Sequence, residues 1–322
     1  MPISAPEPAA ASAAVEALAR RAQEADGIAP FSDEARLAAR SGRRAVLVAR
    51  AEAAADAILG ATIVGEGELE LCVDPAERDR GIGTALVTQA LARAEAEAEA
   101  VAEAAAGQRA ASGSEPGELR AWAHGAHPAA AALAARFGFE PVRTLLVMGA
   151  RLADLAQPAE QSAPTVASRI RAFRPAADDE AWVRANAEIF AAHPEQGRIT
   201  VEDLHARMAE PWFDPEDFLV VDAPAAEPTA AGAAGELEAF AWLKVTGEGA
   251  QRDGEVYAIG VRSRSAGTGL ARALMAAALR RFRDRGCVST SLYVDEENGR
   301  AVNLYGRLGY TVERTSIQYL RP

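Results

Sequence analysis

Cysteine and lysine are nearly absent from this sequence. Its two cysteines, Cys72 and Cys287, are far apart in a chain of 322 residues. This excludes a small fold held together by a disulfide framework, and it predicts a reducing, cytoplasmic environment. The single lysine, Lys244, stands among many arginines, yet the net charge is −12. Such an acidic balance argues against a nucleic-acid partner, and it is compatible with a cationic small substrate or simply with solubility.

Long apolar runs are also missing. No stretch approaches the roughly 18–20 apolar residues that a membrane-spanning helix needs, so we expect no membrane span. The N-terminal residues lack a basic stretch ahead of an apolar core, and we therefore expect no secretory signal peptide. His193 and His205 are twelve residues apart with no cysteine nearby, which does not match a metal site. The length and the hydrophobic content of 49% instead predict two globular domains.

Two parts of the chain follow one design. In "DRGIGTALV" and "AGTGLARAL", Gly81 matches Gly269 at an offset of 188 residues. Further on, in "RFGFEPV" and "RLGYTVE", Gly138 matches Gly309 at an offset of 171 residues. The difference, 188 − 171 = 17 residues, falls in an alanine- and glutamate-rich segment of the first copy. The chain is therefore interpreted as a tandem duplication.

Each copy has helices first, then strands, then the glycine turn with its helix, and finally a strand, a helix and a closing strand. Hairpin-like strands with interspersed helices predict an α/β (α+β) fold whose sheet is mixed and mostly antiparallel. Pro158 and Pro164 interrupt regular structure between the copies. We therefore predict an N-terminal domain over residues 1–152, a linker over 153–168 and a C-terminal domain over 169–322.

The turn of the first copy has the spacing R-x-x-G-x-G, with Arg78, Gly81 and Gly83. The N-terminus of a helix presents unsatisfied N–H groups and partial positive charge, and glycines let an anion approach the backbone. A phosphate site is one interpretation of this turn, and a purely structural turn is an equally good one. A dinucleotide-binding fingerprint would need G-x-G-x-x-G, and a P-loop would need Gly-Lys-Ser/Thr; neither occurs here.

Both turns, together with "NGRAVNLYGRLGY" downstream, resemble the GNAT acetyltransferase superfamily. More narrowly, "HPEQG" close before "WFDP" resembles the mycothiol synthase family, whose members are tandem GNAT proteins. The resemblance covers most of the chain and is clearest over 170–320. It implies acetyl-CoA as co-substrate, no metal, and a turn that holds the pyrophosphate. The residues it assigns to the cofactor are Cys72, Val73, Arg78, Asp79, Arg80, Gly81, Ile82, Gly83, Thr84, Ile259, Gly260, Val261, Ala266, Gly267, Thr268, Gly269, Leu270, Ala271, Arg272, Asn298, Arg300 and Asn303.

Acetyl transfer to an amine needs a base for the ammonium proton, donors for the developing oxyanion and an acid for the leaving thiolate. By the resemblance, Glu255 before the second turn is the base, acting through water, and Tyr305 on the last helix is the acid. A phenol with a pKa of about 10 remains protonated at neutral pH. At the matching positions the first copy has Gly67 and Ala134. We therefore predict that the N-terminal domain is non-catalytic, while its turn can still hold acetyl-CoA.

The second turn departs from the family pattern. Ala266 stands where an arginine or glutamine is expected, and Ala271 where a glycine is expected. The backbone N–H groups remain, but one side-chain contact to the cofactor is lost. The first copy, with Arg78 and Arg80, thus keeps a good phosphate turn, and a lower cofactor affinity is expected of the second.

Other residues are assigned to the substrate by the resemblance. Besides Glu255, they are Asp33, Glu195, Lys244 and Tyr293. Ordinary structural roles compete with these assignments: Glu195 as a solvated loop residue, Lys244 as an exposed strand end, and Tyr293 as a core aromatic. Asp33 stands where the family has a glutamate, and another carboxylate follows it directly. Asn298 is as well suited to cap the last helix as to bind the cofactor.

The function implied by the resemblance is N-acetylation of the cysteinyl amine of Cys-GlcN-inositol, which gives mycothiol. The enzyme is expected to be cytoplasmic and a monomer. Two alternatives stay open: a GNAT enzyme for another amine, such as a peptide N-terminus or an aminoglycoside, and a CoA-binding regulatory protein with no turnover. The pair Glu255 and Tyr305 favours an enzyme, and "HPEQG" with "WFDP" favours the mycothiol substrate.

Overall fold

The chain folds into two compact units in the computed structural model. The described residues are 2–6, 8–51, 57–105, 118–155, 169–191, 193–224, 235–249 and 251–322. Unit 1 comprises Met1–Leu145 and the C-terminal segment Arg314–Pro322, and unit 2 comprises Leu146–Glu313. No helix among the described residues is long and apolar enough to cross a membrane.

Unit 1 is a mixed sheet flanked by four helices within its described part. The strands are β1 (Ile3–Ser4), β2 (Ala45–Arg50), β3 (Ile58–Gly65), β4 (Glu68–Val73), β5 (Leu119–Ala123), the start of β6 (Glu140–Arg151) and most of β12 (Thr311–Arg321). The helices are α1 (Pro8–Asp26), α2 (Asp33–Arg40), α3 (Ile82–Ala105) and α4 (Pro128–Arg136). The strands β1 to β5 and β12 are adjacent in the order β1-β2-β3-β4-β5-β12. Neighbours among them are antiparallel except β4 and β5, which are parallel.

Helix α1 forms because alanine has the highest helix propensity and its apolar side chains recur on one face. Val15, Leu18, Ala19 and Ala22 follow the spacing i, i+3, i+4, i+7, and all four are buried. They pack in one cluster with residues of β2, β3 and β4, including Ile63. This helix therefore covers one face of the unit 1 sheet.

Unit 2 repeats the arrangement. Its strands are the remainder of β6, β7 (Ile170–Ala172), β8 (Phe218–Asp222), β9 (Leu237–Thr246), β10 (Arg252–Val261) and β11 (Cys287–Asp295). Its helices are α5 (Asp179–Ile189), α6 (Pro194–Gly197), α7 (Val201–Met208), α8 (Leu270–Asp284) and α9 (Gly299–Leu308). The strand order is β6-β11-β10-β9-β8-β7. The pairs β7–β8, β8–β9 and β9–β10 are antiparallel, and the pair β10–β11 is parallel.

The unit 2 sheet is covered on both faces. On one face, Leu274 and Phe282 of α8 pack with Val256 of β10. On the other face, Trp242 of β9 stacks on Phe218 with ring centroids 4.4 Å apart. Burial on both faces explains why β9, "LEAFAWLKVT", lacks the apolar–polar alternation of a strand with one solvated face.

The prediction of a mixed, mostly antiparallel sheet in each half is confirmed. The domain boundaries at residues 152 and 169 stay a prediction. Residues 156–168 of the predicted linker lie outside the described residues. The compact units differ from those boundaries, because the last strand pairs with β5 of unit 1 in the register Ile317↔Ala123.

Candidate active site

The parallel strands β10 and β11 of unit 2 pair over only part of their length. Their register runs from Arg252 to Val256 on β10, whereas β10 stays paired with β9 as far as Val261. Beyond Val256 the two parallel strands therefore diverge. The backbone N–H and C=O groups on this side of β10 are available to a bound molecule, since a strand edge presents unpaired donors and acceptors.

A β-bulge lies where this divergence begins. The register of β10 against β9 shifts between Val256 and Ala258. The side chains on either side of the shift point to different faces. Val256 packs with Ile259 and Val261 on the α8 face. Tyr257 and Ala258 pack on the other face, in the cluster that contains Phe218 and Trp242. Bulges redirect side chains in this way and are frequent beside active sites.

Predicted substrate residues share the face opposite α8. Glu255 lies directly across from Lys244 on β9 and from Ser291 on β11. Tyr293 is two residues beyond Ser291 on the same strand, so it points to the same face, and its side chain is 46% exposed. The structure thus brings Glu255, Lys244 and Tyr293 to one surface. The alternative of a core tyrosine at 293 is wrong.

Lys244 is held by aromatic rings. Its Nζ lies 5.3 Å from the ring centroid of Trp212 and 5.7 Å from that of Tyr257. The two rings are themselves in contact, with centroids 5.0 Å apart. Cation–π contacts of this length hold an ammonium group in place. Lys244 is therefore a positioned cation within β9, and it is not the exposed strand end that the sequence also allowed.

Tyr305 lies on α9 and is buried in the cluster that contains Val256, on the α8 face. Burial, together with the neighbouring Tyr310, raises the pKa of its phenol to about 12. No other described residue hydrogen-bonds its hydroxyl. The phenol consequently stays protonated at every physiological pH and keeps its hydrogen for a bound molecule.

Glu255 and Tyr305 belong to opposite faces of the sheet. The carboxylate side chain is on the face of Lys244, while the phenol packs with Val256, the next residue along β10. A gap between two diverging strands opens to both faces of a sheet. The two groups therefore do not share one surface, and the divergence of β10 from β11 is the opening between their faces.

The second glycine turn follows β10 through a short 3₁₀ turn, Ser263–Ser265. Gly267 has φ +87° and Gly269, the N-cap of α8, has φ +90°, so both are in the left-handed region that glycine tolerates. A Cβ built on Gly267 would lie 3.7 Å from Nη2 of Arg300. Arg300 of α9 thus places a guanidinium beside the turn that lacks its own arginine.

The N-terminus of α9 carries the last predicted cofactor residues, Asn298, Arg300 and Asn303. Asn298 is the N-cap, because its Oδ1 accepts the N–H of Ala301 at 3.2 Å. The structural alternative for Asn298 is therefore confirmed, while a contact to the cofactor stays a prediction. The other predicted cofactor residues of unit 2 lie at the end of β10 (259–261), in the turn (266–269) and at the start of α8 (270–272).

Unit 1 has the same geometry at its own turn. Strands β4 and β5 pair only at Glu68↔Arg120 and Leu69↔Ala121, although β4 stays paired with β3 as far as Val73. The predicted cofactor residues lie at the end of β4 (72–73), in the turn (78–81) and at the start of α3 (82–84). Gly81 has φ +79° in that turn. Both units thus combine diverging parallel strands with a glycine turn.

The arginines of the first turn are already paired with carboxylates. Arg78 donates from Nη1 to Oδ1 of Asp26 at 2.8 Å and from Nη2 to Oδ2 at 2.6 Å. The Arg78 guanidinium holds the pKa of the Asp26 carboxyl below its usual range. Arg80 forms an ion pair with Glu77. The first turn is therefore less available to an anion than its sequence indicates.

Proton-transfer groups are absent from the matching positions of unit 1. Gly67 is a turn residue with φ +74°, and Ala134 is buried in α4. The two neighbouring carboxylates form ion pairs with Arg44. Its Nε lies 3.1 Å from Oε2 of Glu66, and its Nη1 lies 2.9 Å from Oε2 of Glu68. The structure is thus consistent with a non-catalytic first unit.

Three predicted residues remain, Asp33, Glu195 and Cys72. Asp33 is the first residue of α2, directly after the N-cap Ser32. Glu195 lies in α6, and its side chain is outside the described residues. Cys72 is buried, and burial raises the pKa of its thiol to about 12, so it is not a nucleophile. Within the described part of the chain, no cluster of three or more His, Cys, Asp or Glu residues suits a metal ion.

Comparison with known proteins gives the family. A model of the Acetyltransferase (GNAT) family matches residues 187–310, and a model of an acetyltransferase (GNAT) domain matches residues 42–141. A mycothiol acetyltransferase from Parafrankia sp. (strain EAN1pec) is 40% identical over 335 residues, covering 96% of this chain and 94% of that protein. The chain belongs to the mycothiol acetyltransferase family of GNAT proteins. It is an N-acetyltransferase with two GNAT domains.

Other mycothiol acetyltransferases and GNAT structures agree with this assignment. The protein of that name from Catenulispora acidiphila is 40% identical over 326 residues, covering 95% of this chain and 94% of its own. The crystal structure of a GCN5-related N-acetyltransferase from Sphaerobacter thermophilus matches with a TM-score of 0.66 at 23% identity, over 99% of this chain and 95% of that one. At that identity the structure supports the GNAT fold alone. The family resemblance predicted from the sequence is confirmed.

The first GNAT domain contains a buried carboxylate, Glu70, that was not predicted from the sequence. Glu70 accepts the N–H and the hydroxyl of Ser32, both at 2.7 Å, and its Oε2 lies 3.5 Å from Nε2 of His124. Burial would raise the pKa of this carboxyl, but the contacts with His124 and Ser32 outweigh it and hold the pKa below its usual range. The signal available in sequence was a glutamate amid the apolar residues of β4.

Proposed function

We propose that the protein transfers the acetyl group of acetyl-CoA to the cysteinyl amine of Cys-GlcN-inositol, giving mycothiol. The observation that carries the proposal is the surface of unit 2 where Glu255, Lys244 and Tyr293 meet beside the β10–β11 divergence. The relatives from Parafrankia and Catenulispora, both named mycothiol acetyltransferase, supply the substrate.

The residues of unit 2 fit acetyl-CoA. The left-handed glycines of the second turn bring backbone N–H groups to the start of α8, and Arg300 adds a guanidinium beside Gly267. An added side chain at Gly267 would stand between that guanidinium and the turn. The N-terminus of a long helix favours phosphate. The backbone of β10 beyond Val256 offers hydrogen bonds to an extended, amide-containing chain such as pantetheine.

Glu255 serves as the base in this proposal. The cysteinyl amine must lose a proton to attack, because the pKa of an α-amine is about 7.7–8.0. Glu255 accepts that proton through water, and its face also carries the cation Lys244 and the exposed phenol Tyr293. The nitrogen then forms a bond to the acetyl carbon, and no acyl-enzyme is needed.

Tyr305 serves as the acid. Its buried phenol, with a pKa of about 12, holds a proton that no described neighbour accepts. It donates that proton to the sulfur as the carbon–sulfur bond breaks. The nitrogen releases its second proton as the amide forms, and this proton restores the Tyr305 phenol through solvent, so the products are the amide and free CoA thiol. In this proposal the backbone N–H groups of β10 beyond Val256 donate to the thioester oxygen as charge develops on it.

Product mass spectrometry tests this function. Purified protein is incubated with acetyl-CoA and the cysteinyl pseudodisaccharide, and with a panel containing a peptide N-terminus and an aminoglycoside. The proposal expects one acetyl group on the cysteinyl nitrogen and equimolar release of CoA thiol. Acetylation of only another amine would replace the substrate. Silence over the whole panel would favour a CoA-binding protein without turnover.

The cellular setting follows from the same proposal. Both cysteines are free and buried, which fits the reducing cytoplasm where acetyl-CoA is made available. One chain supplies the unit 2 surface described above, so the proposed small-molecule substrate needs no residue from a second chain. We therefore keep the cytoplasm as the proposed location and a monomer as the proposed state, which sedimentation at working concentration would check.

A further inference from the structure

The arginine beside each glycine turn comes from a different element in the two units. In unit 1 it is Arg78 of the turn itself, and the matching residue of unit 2 is Ala266. In unit 2 it is Arg300 of α9, and the matching residue of unit 1, at the offset of 171, is Ala129. Each unit thus has one guanidinium where the turn meets the last helix of that unit.

The two arginines differ in their partners. Arg78 is gripped by Asp26 of α1 through two parallel hydrogen bonds of 2.8 and 2.6 Å. Both side chains are about one quarter exposed, 26% for Arg78 and 24% for Asp26. Arg300 makes no ion pair with another residue in the described part of the chain. Arg272, at the start of α8, makes none within that part either.

The contact of His127 with Arg78 is an independent sign that the surroundings of Arg78 suit an anion. Its Nδ1 accepts the N–H of Ala129 at 3.2 Å, so a neutral ring carries its hydrogen on Nε2. That Nε2 lies 3.5 Å from Nη1 of Arg78. Two donors therefore face each other, and an acceptor placed between them would satisfy both. His127 is also the N-cap matching Asn298 in the repeat.

We propose that Asp26 is a built-in competitor for the phosphates of CoA at the first turn. A phosphate that binds Arg78 must displace the carboxylate, because both use the same fork of guanidinium donors. No such exchange is needed at Arg300. On the proposed use of acetyl-CoA, unit 2 therefore binds CoA first, and the first site is the weaker one despite its more complete sequence motif.

Titration calorimetry of the full chain with CoA tests this inference. We expect two classes of site that differ by roughly tenfold, since breaking a partly exposed bidentate pair weakens binding by about that factor. Asp26→Asn keeps the shape and removes the competition, so it should tighten the weaker class by about fivefold to tenfold. The tighter class should not move. Arg300→Ala should weaken only the tighter class.

A matched variant separates competition from bulk charge. Glu97→Gln also removes one negative charge from unit 1, and its exposed partner Arg93, at 2.7 Å, is on the same helix. It should leave both classes unchanged. When Arg78 is also replaced by Ala, Asp26→Asn should no longer tighten CoA binding. Its effect depends on the Asp26–Arg78 ion pair, which the second substitution has already removed. Circular dichroism and thermal unfolding establish that each variant is folded.

Three results would overturn the inference. They are equal affinity of the two classes in the unmodified protein, no tightening in folded Asp26→Asn, and equal tightening in Asp26→Asn and Glu97→Gln. Failure of every variant to bind CoA would instead overturn the proposed function. If Asp26→Asn turns over the cysteinyl substrate and its CoA affinities equal those of the unmodified protein, the proposed function stands and Asp26 is not a competitor.

Discussion

Two buried tyrosines of unit 2 offer a sharp test of the acid. Tyr305 and Tyr310 have ring centroids 6.2 Å apart, and burial raises the pKa of each phenol to about 12. They differ in their partners. The Tyr310 hydroxyl shares a hydrogen bond of 3.1 Å with Oγ1 of Thr290, whereas no described residue binds the Tyr305 hydroxyl. Tyr305→Phe and Tyr310→Phe each remove one phenol oxygen from similar surroundings. We expect the first to lower kcat and the second to lower stability.

The magnitudes follow from these contacts. Loss of the proton donor in Tyr305→Phe should lower kcat by about 10²-fold or more, the usual range for general acid catalysis. Its unfolding free energy should change by less than about 0.5 kcal/mol, because no hydrogen bond within the described residues is broken. Tyr310→Phe should leave kcat nearly unchanged. It should destabilise the protein by about 1–3 kcal/mol, because the buried Thr290 hydroxyl loses its partner.

The assays are CoA-thiol release under saturating substrates and urea unfolding of each variant. A pH profile adds a further readout, because an acid with a pKa of about 12 gives no alkaline limb below pH 10. The reasoning is refuted if the two variants have equal kcat, or if Tyr305→Phe loses stability as Tyr310→Phe does. In either case the phenol at 305 would be a packing residue.

The remaining predictions concern the base, the first turn and alkaline stability. Glu255→Gln should lower kcat by about 10²-fold with little change in unfolding free energy, and unchanged steady-state kinetics would reject its role. Gly81→Val places a β-branched residue at φ +79°, so it should abolish CoA binding at the first turn, measured by calorimetry, and leave most of the turnover. Loss of all activity in a folded Gly81→Val protein would contradict this prediction. Stability should fall as pH rises from 10 towards 12, by roughly 1 kcal/mol at pH 11 for each of Tyr305 and Tyr310, because unfolded phenols ionise while native ones remain protonated. Urea unfolding at pH 8 and 11 measures that loss, and each Tyr→Phe variant should show a smaller one.

The glycine turns and the repeat were predictable because each depends on local chemistry. Gly81 and Gly269 are required at positive φ, and the helices that follow them begin where the sequence turns apolar. The pairing of Glu255 with Lys244 across two strands also follows from hairpin neighbours, once the strands are placed. These elements could be predicted without long-range information.

The state of the arginines could not be predicted in this way. Arg78 and Asp26 are separated by 52 residues, and nothing local indicates that the end of α1 meets the turn. Arg300 was assigned to the cofactor by family resemblance, while its approach to Gly267 depends on the packing of α9. The sequence therefore ranks the first turn as the better phosphate site, and the ion pair of Arg78 with Asp26 is the basis on which we propose the opposite ranking.

The bulge in β10 could not be predicted from the local sequence either. Strict alternation along this strand would place Tyr257 with Glu255, but it would also place Ile259 and Val261 on that face. The shift between Val256 and Ala258 moves the latter two to the α8 face. A single extra residue in a ladder depends on the partner strand, so it leaves no signal in β10 alone.

The last strand has a consequence for biosynthesis. Residues 314–322 complete the sheet of unit 1, next to β5, although they are translated after all of unit 2. While the ribosome is still making the second half, the nascent first half exposes the edge of β5 and must wait for its final neighbour. The first half therefore completes its sheet only after the whole of the second half has been translated.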